Sequence, residues 1–75
     1  MAEIRLPNLF AFEDPIITRW LVAVGDHVQE GDEVAAVELD KAEAMVTAPA
    51  SGRITRIHRA VGDHVETGDL LAELD

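Results

Sequence analysis

The sequence predicts an all-β domain made of two copies of one β unit, closed so that each copy covers the other's apolar face. Three observations predict it. Short β-branched and apolar runs are separated throughout by Gly-Asp pairs and a Pro/Ser/Gly turn. The segments Ile17-Thr18-Arg19-Trp20 and Ala23-Val24-Gly25-Asp26-His27-Val28 return as Ile54-Thr55-Arg56-Ile57 and Ala60-Val61-Gly62-Asp63-His64-Val65, in each case 37 positions later. Finally, 75 residues without a cysteine make one domain, residues 1–75, too short for a solenoid and held only by packing and well-made turns.

Glu3-Ile4-Arg5-Leu6 reads as a first strand, ended by Pro7-Asn8. Leu9-Phe10-Ala11-Phe12-Glu13-Asp14-Pro15 has no clear period and holds two of the three aromatic residues. It reads as a loop whose Phe10 and Phe12 either fold back on the domain or stand out for recognition. Ile16 to Val24 is β-branched and apolar, a largely buried strand with Trp20 in the core. Gly25-Asp26 and Glu30-Gly31-Asp32 are turns around a brief extended His27-Val28. Two runs, Glu33 to Glu38 and Glu43 to Ala48, form a hairpin through Leu39-Asp40-Lys41-Ala42, and Pro49-Ala50-Ser51-Gly52 turns the chain into the second copy.

Net charge of −9 sets the partner classes. Phosphate backbones would repel such a chain, so a nucleic-acid role is excluded, and a docking partner is expected to present a basic surface. No apolar run approaches a membrane span, and Met1 to Pro7 lacks a basic leader and an apolar core. A soluble intracellular protein is the expectation.

Lys41 is the only lysine among six basic residues, and it stands at the hairpin tip. Lysine in a turn is ordinarily a solvated charge. A chain that uses arginine everywhere else and lysine once looks built to offer one primary amine in one place. Guanidinium cannot substitute, because it stays protonated, whereas an exposed ammonium deprotonates readily enough to be acylated. Subtracting the offset of 37 takes Lys41 to Ile4, so the tip's counterpart is where the chain begins and ends, and tip and termini are expected at opposite ends of the domain.

The pattern Gly25-Asp26-His27-Val28 with Gly31-Asp32, then Val37-Glu38-Leu39-Asp40-Lys41-Ala42, then Val46-Thr47-Ala48-Pro49-Ala50-Ser51-Gly52, and a second Gly62-Asp63 with Gly68-Asp69, resembles the lipoyl domain of the acyltransferase component of 2-oxo acid dehydrogenase complexes. The likeness runs over essentially the whole chain, including Ile4-Arg5-Leu6-Pro7. Leu39 departs from it, standing where such domains commonly carry a small polar residue.

The resemblance implies a flattened β-barrel of two roughly four-stranded sheets, the barrel-sandwich hybrid. It implies a carrier, with lipoic acid amide-linked to Lys41, Asp40 and Ala42 flanking it for recognition and geometry, and no catalytic or metal-binding side chains of its own. Glu38 and Glu43 would add negative potential for a basic partner. The partners implied are a lipoate-attaching enzyme, a thiamine-dependent dehydrogenase or decarboxylase, the acyltransferase domain and dihydrolipoyl dehydrogenase, in the cytoplasm or the mitochondrial matrix.

Two alternatives stand beside this reading. A biotinyl domain of a carboxylase resembles it in fold, and Glu43-Ala44-Met45 is similar to part of the biotinyl motif, but Val46 follows where lysine would be needed. An unmodified barrel-sandwich interaction module would have no need of a tip lysine. Catalysis by the chain itself is disfavoured, because His27 and His64 are repeat mates in separate turns, His58 has no partner in sequence, and Ser51 has no visible base.

Overall fold

Four Gly-Asp turns punctuate the chain, and each is built the same way. At 23–26 the N–H of Asp26 donates to the Ala23 carbonyl at 3.0 Å, and Asp26 Oδ2 accepts the Ala23 N–H at 2.9 Å. The same two bonds recur between Gln29 and Asp32, Ala60 and Asp63, and Glu66 and Asp69. The third residue of each turn has φ between 88 and 100°, which side-chain-bearing residues rarely adopt, so it is glycine.

The computed structural model describes residues 2–8, 14–40 and 42–75. Among these residues run seven strands: β1 (Ala2–Arg5), β2 (Ile16–Trp20), β3 (His27–Val28), β4 (Glu33–Glu38), β5 (Glu43–Thr47), β6 (Gly52–Ile57) and β7 (Leu70–Leu74). They form two antiparallel sheets. Sheet 1 has the order β1-β7-β6-β3, and sheet 2 the order β2-β4-β5. A bridge from Ile16 to His64 gives sheet 2 the counterpart of β3, because Arg53 and His27, their mates 37 positions away, pair in sheet 1. The all-β expectation of two roughly four-stranded sheets is thus met.

The repeat extends to irregularities. The β2–β4 and β6–β7 registers slip at Thr18 and Thr55, and the two hydroxyls donate to the Ala36 and Glu73 carbonyls at 3.3 and 3.2 Å. A bulge leaves ladder groups unpaired, and threonine satisfies one of them here.

Two expectations need correction. The strand expected over Ile16 to Val24 stops at Trp20, with Leu21 and Val24 exposed at 42% and 60%. The Gly25-Asp26 turn begins at Ala23, and its backbone bonds end the ladder. The offset of 37 also fails before β2. Ile4 faces Ala72, and Val46 faces Ala35, so Ile4 is the mate of Val46, 42 positions away, and not of Lys41. Leu6 and Ala48 confirm this register, since their N–H groups donate to the Asp69 and Asp32 carbonyls, themselves mates. The first copy therefore carries five residues more between its first and second strands than the second copy does. Residues 9–13, with Phe10 and Phe12, lie outside the described residues, as does Lys41.

The core is assembled from the inward residues of both sheets, chiefly Ile4, Leu6, Ile17, Val34, Val37, Val46, Ile54, Leu71 and Leu74, each at most 2% exposed. At about 1.5–3 kcal/mol per buried aliphatic side chain, this layer is the main source of stability without disulfides. Trp20 and its mate Ile57 pack against the cluster from its margin, half-buried. The Trp20 indole N–H donates to the Arg59 carbonyl at 2.9 Å, which joins β2 to the stretch after β6.

Candidate functional site

The β4–β5 hairpin is a product of its local sequence. Val34 to Val37 is buried throughout, a β-branched and small-residue run that fits the middle strand of a sheet, and Glu38 and Glu43 end the two strands directly opposite one another. Beyond them the Leu39 N–H donates to the Ala42 carbonyl at 2.8 Å, which closes the hairpin between these two residues. Asp40 and Ala42 are exposed, Leu39 is half-buried, and Glu38 and Glu43 are exposed on the strand ends. Lys41 itself is outside the described residues.

Three carboxylates, Glu38, Asp40 and Glu43, thus lie within three residues of the single lysine in sequence, at the hairpin end of β4 and β5. None makes a side-chain hydrogen bond or ion pair among the described residues, in contrast to the four turn aspartates. Glu38 and Glu43 face each other as like charges, an arrangement that mildly opposes pairing of the strand ends and leaves negative potential at the tip. Asp40 and Ala42, on either side of residue 41 in sequence, are both exposed.

The histidines are dispersed. His27 opens β3 in sheet 1, and His64 bridges to Ile16 in sheet 2 with Nδ1 3.2 Å from Asp14 Oδ1. His58, which has no partner by sequence spacing, has Nε2 2.6 Å from Glu73 Oε2 on the outer face of sheet 1. Among the described residues no group of three or more His, Cys, Asp or Glu is placed to hold a metal ion. Ser51 Oγ accepts the Glu30 N–H at 3.2 Å.

A further feature was invisible in the sequence reading. A shallow cleft of about 510 Å³ is lined by Glu3, Arg5, Leu6, Pro7, Thr47 and Pro49. Arg5 and Thr47, and Pro7 and Pro49, are mates at the 42-residue offset, so the cleft lies between the two copies. The signal that could have found it is the Leu-Pro and Ala-Pro pair at 6–7 and 48–49.

The family described as "Biotin-requiring enzyme" matches residues 2–74. A dihydrolipoyllysine-residue succinyltransferase component of the 2-oxoglutarate dehydrogenase complex from Bacillus subtilis is 34% identical over 58 residues, 76% of this chain and 14% of that protein. A dihydrolipoyllysine-residue acetyltransferase component of the pyruvate dehydrogenase complex from Rhizobium meliloti is 38% identical over 56 residues, 73% of this chain and 12% of that protein. The chain therefore spans only a small part of these relatives. Among solved structures, urea carboxylase from Kluyveromyces lactis superposes with a TM-score of 0.82 at 34% identity, over 99% of this chain and 6% of that one. The lipoyl domain of the 2-oxoglutarate dehydrogenase complex from Azotobacter vinelandii gives a TM-score of 0.74 at 29% identity, over 96% of this chain and 95% of that one.

Proposed function

The chain belongs to the biotin/lipoyl attachment family, and from that premise we propose that it is a lipoyl carrier domain of a 2-oxo acid dehydrogenase complex, modified on Lys41. The observation that carries the proposal is the exposed β4–β5 hairpin, with Asp40 and Ala42 exposed on either side of the sole lysine position, in a chain similar to two dihydrolipoyllysine-residue transferases.

Attachment joins the lipoate carboxyl to Nζ of Lys41. The carboxyl oxygen leaves on AMP as ATP is cleaved to AMP and pyrophosphate, and the amine gives its proton to solvent. The chain's own contribution is presentation. The Leu39 to Ala42 bond closes the hairpin, Ala42 leaves the amine unobstructed, and Asp40 and the Glu38/Glu43 pair present negative potential to a basic partner. When bound, the lipoyl group supplies a dithiolane that takes up an acyl group with two electrons and releases them again. Tethering raises its effective concentration at successive active sites to about millimolar. The thiamine-dependent enzyme, the acyltransferase domain and dihydrolipoyl dehydrogenase are the proposed partners, in the cytoplasm or the mitochondrial matrix.

A second reading, biotinylation of the same lysine, is favoured by the similarity to urea carboxylase along 99% of the chain. Intact mass and peptide mapping after incubation with a lipoate ligase, lipoate and ATP, and in parallel with a biotin ligase, biotin and ATP, test both. One lipoyl increment on Lys41 and no biotin increment is the expected result. A biotin increment alone replaces the first reading with the second, and no increment on a folded chain overturns both.

A further inference from the structure

Two halves on one backbone plan make each half a reference for the other. On the outer face of sheet 1, Arg5 donates to Glu3 Oε1 at 2.9 and 3.1 Å, Glu3 pairs across the ladder with Glu73, and His58 lies 2.6 Å from Glu73. Glu3 and Glu73 on the outer face of sheet 1 thus each have a partner within that face, Arg5 for the first and His58 for the second.

At the mates of Glu3, Glu73 and His58 sheet 2 is apolar, and at the mate of Arg5 it carries the uncharged Thr47. Met45 stands for Glu3, Ala36 for Glu73, and Leu21 for His58, while Arg19 keeps the place of Arg56. Arg19, Ala36 and Met45 are in line across β2, β4 and β5. Ala36 is fully buried yet is no part of the core cluster, although its neighbours Ala35 and Val37 are. It therefore faces outward under a cover of neighbouring side chains. Leu21 holds the position from which His58 reaches Glu73, and it is 42% exposed. Towards the tip, past the inward-facing Val37/Ala44 pair, the next pair on this face is Glu38/Glu43.

We propose that this outer face of sheet 2, centred on Met45, Ala36 and Leu21, is the docking surface for the ATP-dependent ligase that acylates Lys41. The ligase would set an apolar side chain over Met45 and Leu21 and basic groups against Glu38 and Glu43. Two features select this occupant. Glu38 and Glu43, whose carboxylates have no side-chain hydrogen bond or ion pair among the described residues, lie between the apolar patch and the hairpin turn, which gives the face the charge complement of a basic enzyme surface. At the usual strand rise Met45 is about 10 Å from Ala42, so an enzyme covering the hairpin with an ordinary interface also covers Met45. This inference rests on the carrier reading.

The test compares rates of modification at subsaturating carrier, followed by intact mass, for the wild-type chain and for Met45→Glu, Leu21→Glu and Glu3→Met. The probe is whichever of the lipoate and biotin ligases modifies wild type. Met45→Glu places on sheet 2 the residue its mate already carries on sheet 1, and Leu21 is exposed, so thermal melts should show both variants folded. Each should lose about tenfold or more in rate, the effect of disturbing a central contact, with Glu3→Met within about twofold of wild type. Binding of the ligase to the Lys41→Arg chain, measured by calorimetry, should weaken on adding Met45→Glu. Wild-type rates in folded Met45→Glu and Leu21→Glu would overturn the docking surface while leaving the carrier intact, and so would an equal loss in Glu3→Met. No modification of wild type removes the carrier reading and this inference with it.

Discussion

Asp26 and Asp63, 37 positions apart in the chain, close the same turn with the same bond: Oδ2 of each accepts the N–H of the residue three before it, at 2.9 and 2.8 Å. Each turn also hands a glycine N–H to the other copy. Gly25 donates to the Ile54 carbonyl at 2.8 Å and Gly62 to the Ile17 carbonyl at 2.7 Å. The turns therefore link the copies as well as reversing the chain. Asp63→Ala should cost about 0.5–1.5 kcal/mol by urea unfolding, the net worth of one such bond, with Asp26→Ala similar.

Glycine substitutions separate conformation from space. A Cβ on Gly62 meets nothing within 4 Å, but φ is +94°, whereas a Cβ on Gly52 would sit 2.6 Å from the Asp75 carbonyl oxygen. Gly62→Ala should cost about 1–2 kcal/mol, the penalty of left-handed backbone. Gly62→Asn should recover part of it, since asparagine tolerates this region, while Gly52→Asn should be no better than Gly52→Ala. Melting temperatures of the four variants check this.

Leu71→Ala removes a fully buried side chain from β7. A loss of about 2–5 kcal/mol is expected, a large fraction of what a domain of this size possesses. Chemical denaturation should show a lower midpoint with an unchanged slope.

Trp20→Phe keeps an aromatic ring against the core margin and deletes the bond to the Arg59 carbonyl. The expected cost is about 1–3 kcal/mol, because the carbonyl loses its donor. A Trp20→Leu variant, which loses the bond and also changes the packing, should be at least as destabilised by the same denaturation assay.

Lys41→Arg should leave the circular dichroism spectrum and melting temperature unchanged and abolish modification by either ligase. Persistent modification at another residue would show that the hairpin lysine is not the acceptor.

Turn chemistry is local, and so it was legible. Gly25-Asp26 and its three counterparts announce positive φ and a self-capping carboxylate in two adjacent letters, and the 37-residue repeat of Ile-Thr-Arg followed from them. The repeat was lost before β2 because the five additional residues there shift Ile4 into register with Val46, a relation set by ladder bonds to β7 and β4. The His58–Glu73 and Trp20–Arg59 contacts were invisible for the same reason, since each joins residues at least 15 apart in sequence through strand packing. Asp40 and Ala42 were legible as hairpin flanks, with the turn bond at Leu39 and Ala42 as expected for two β runs joined by four residues.

The sequence by itself determined the strands, the turns and the duplicated plan, because alternation, β-branching and glycine placement act over a few residues. Only the tertiary structure decided which residues share an outer face. Thr18 and Thr55 bulges and the slip at Ile4 alter the side-chain period within single strands. A slip of one residue exchanges inside for outside, and the place of the buried Ala36 on the outer face, where sheet 1 has Glu73, depends on that register.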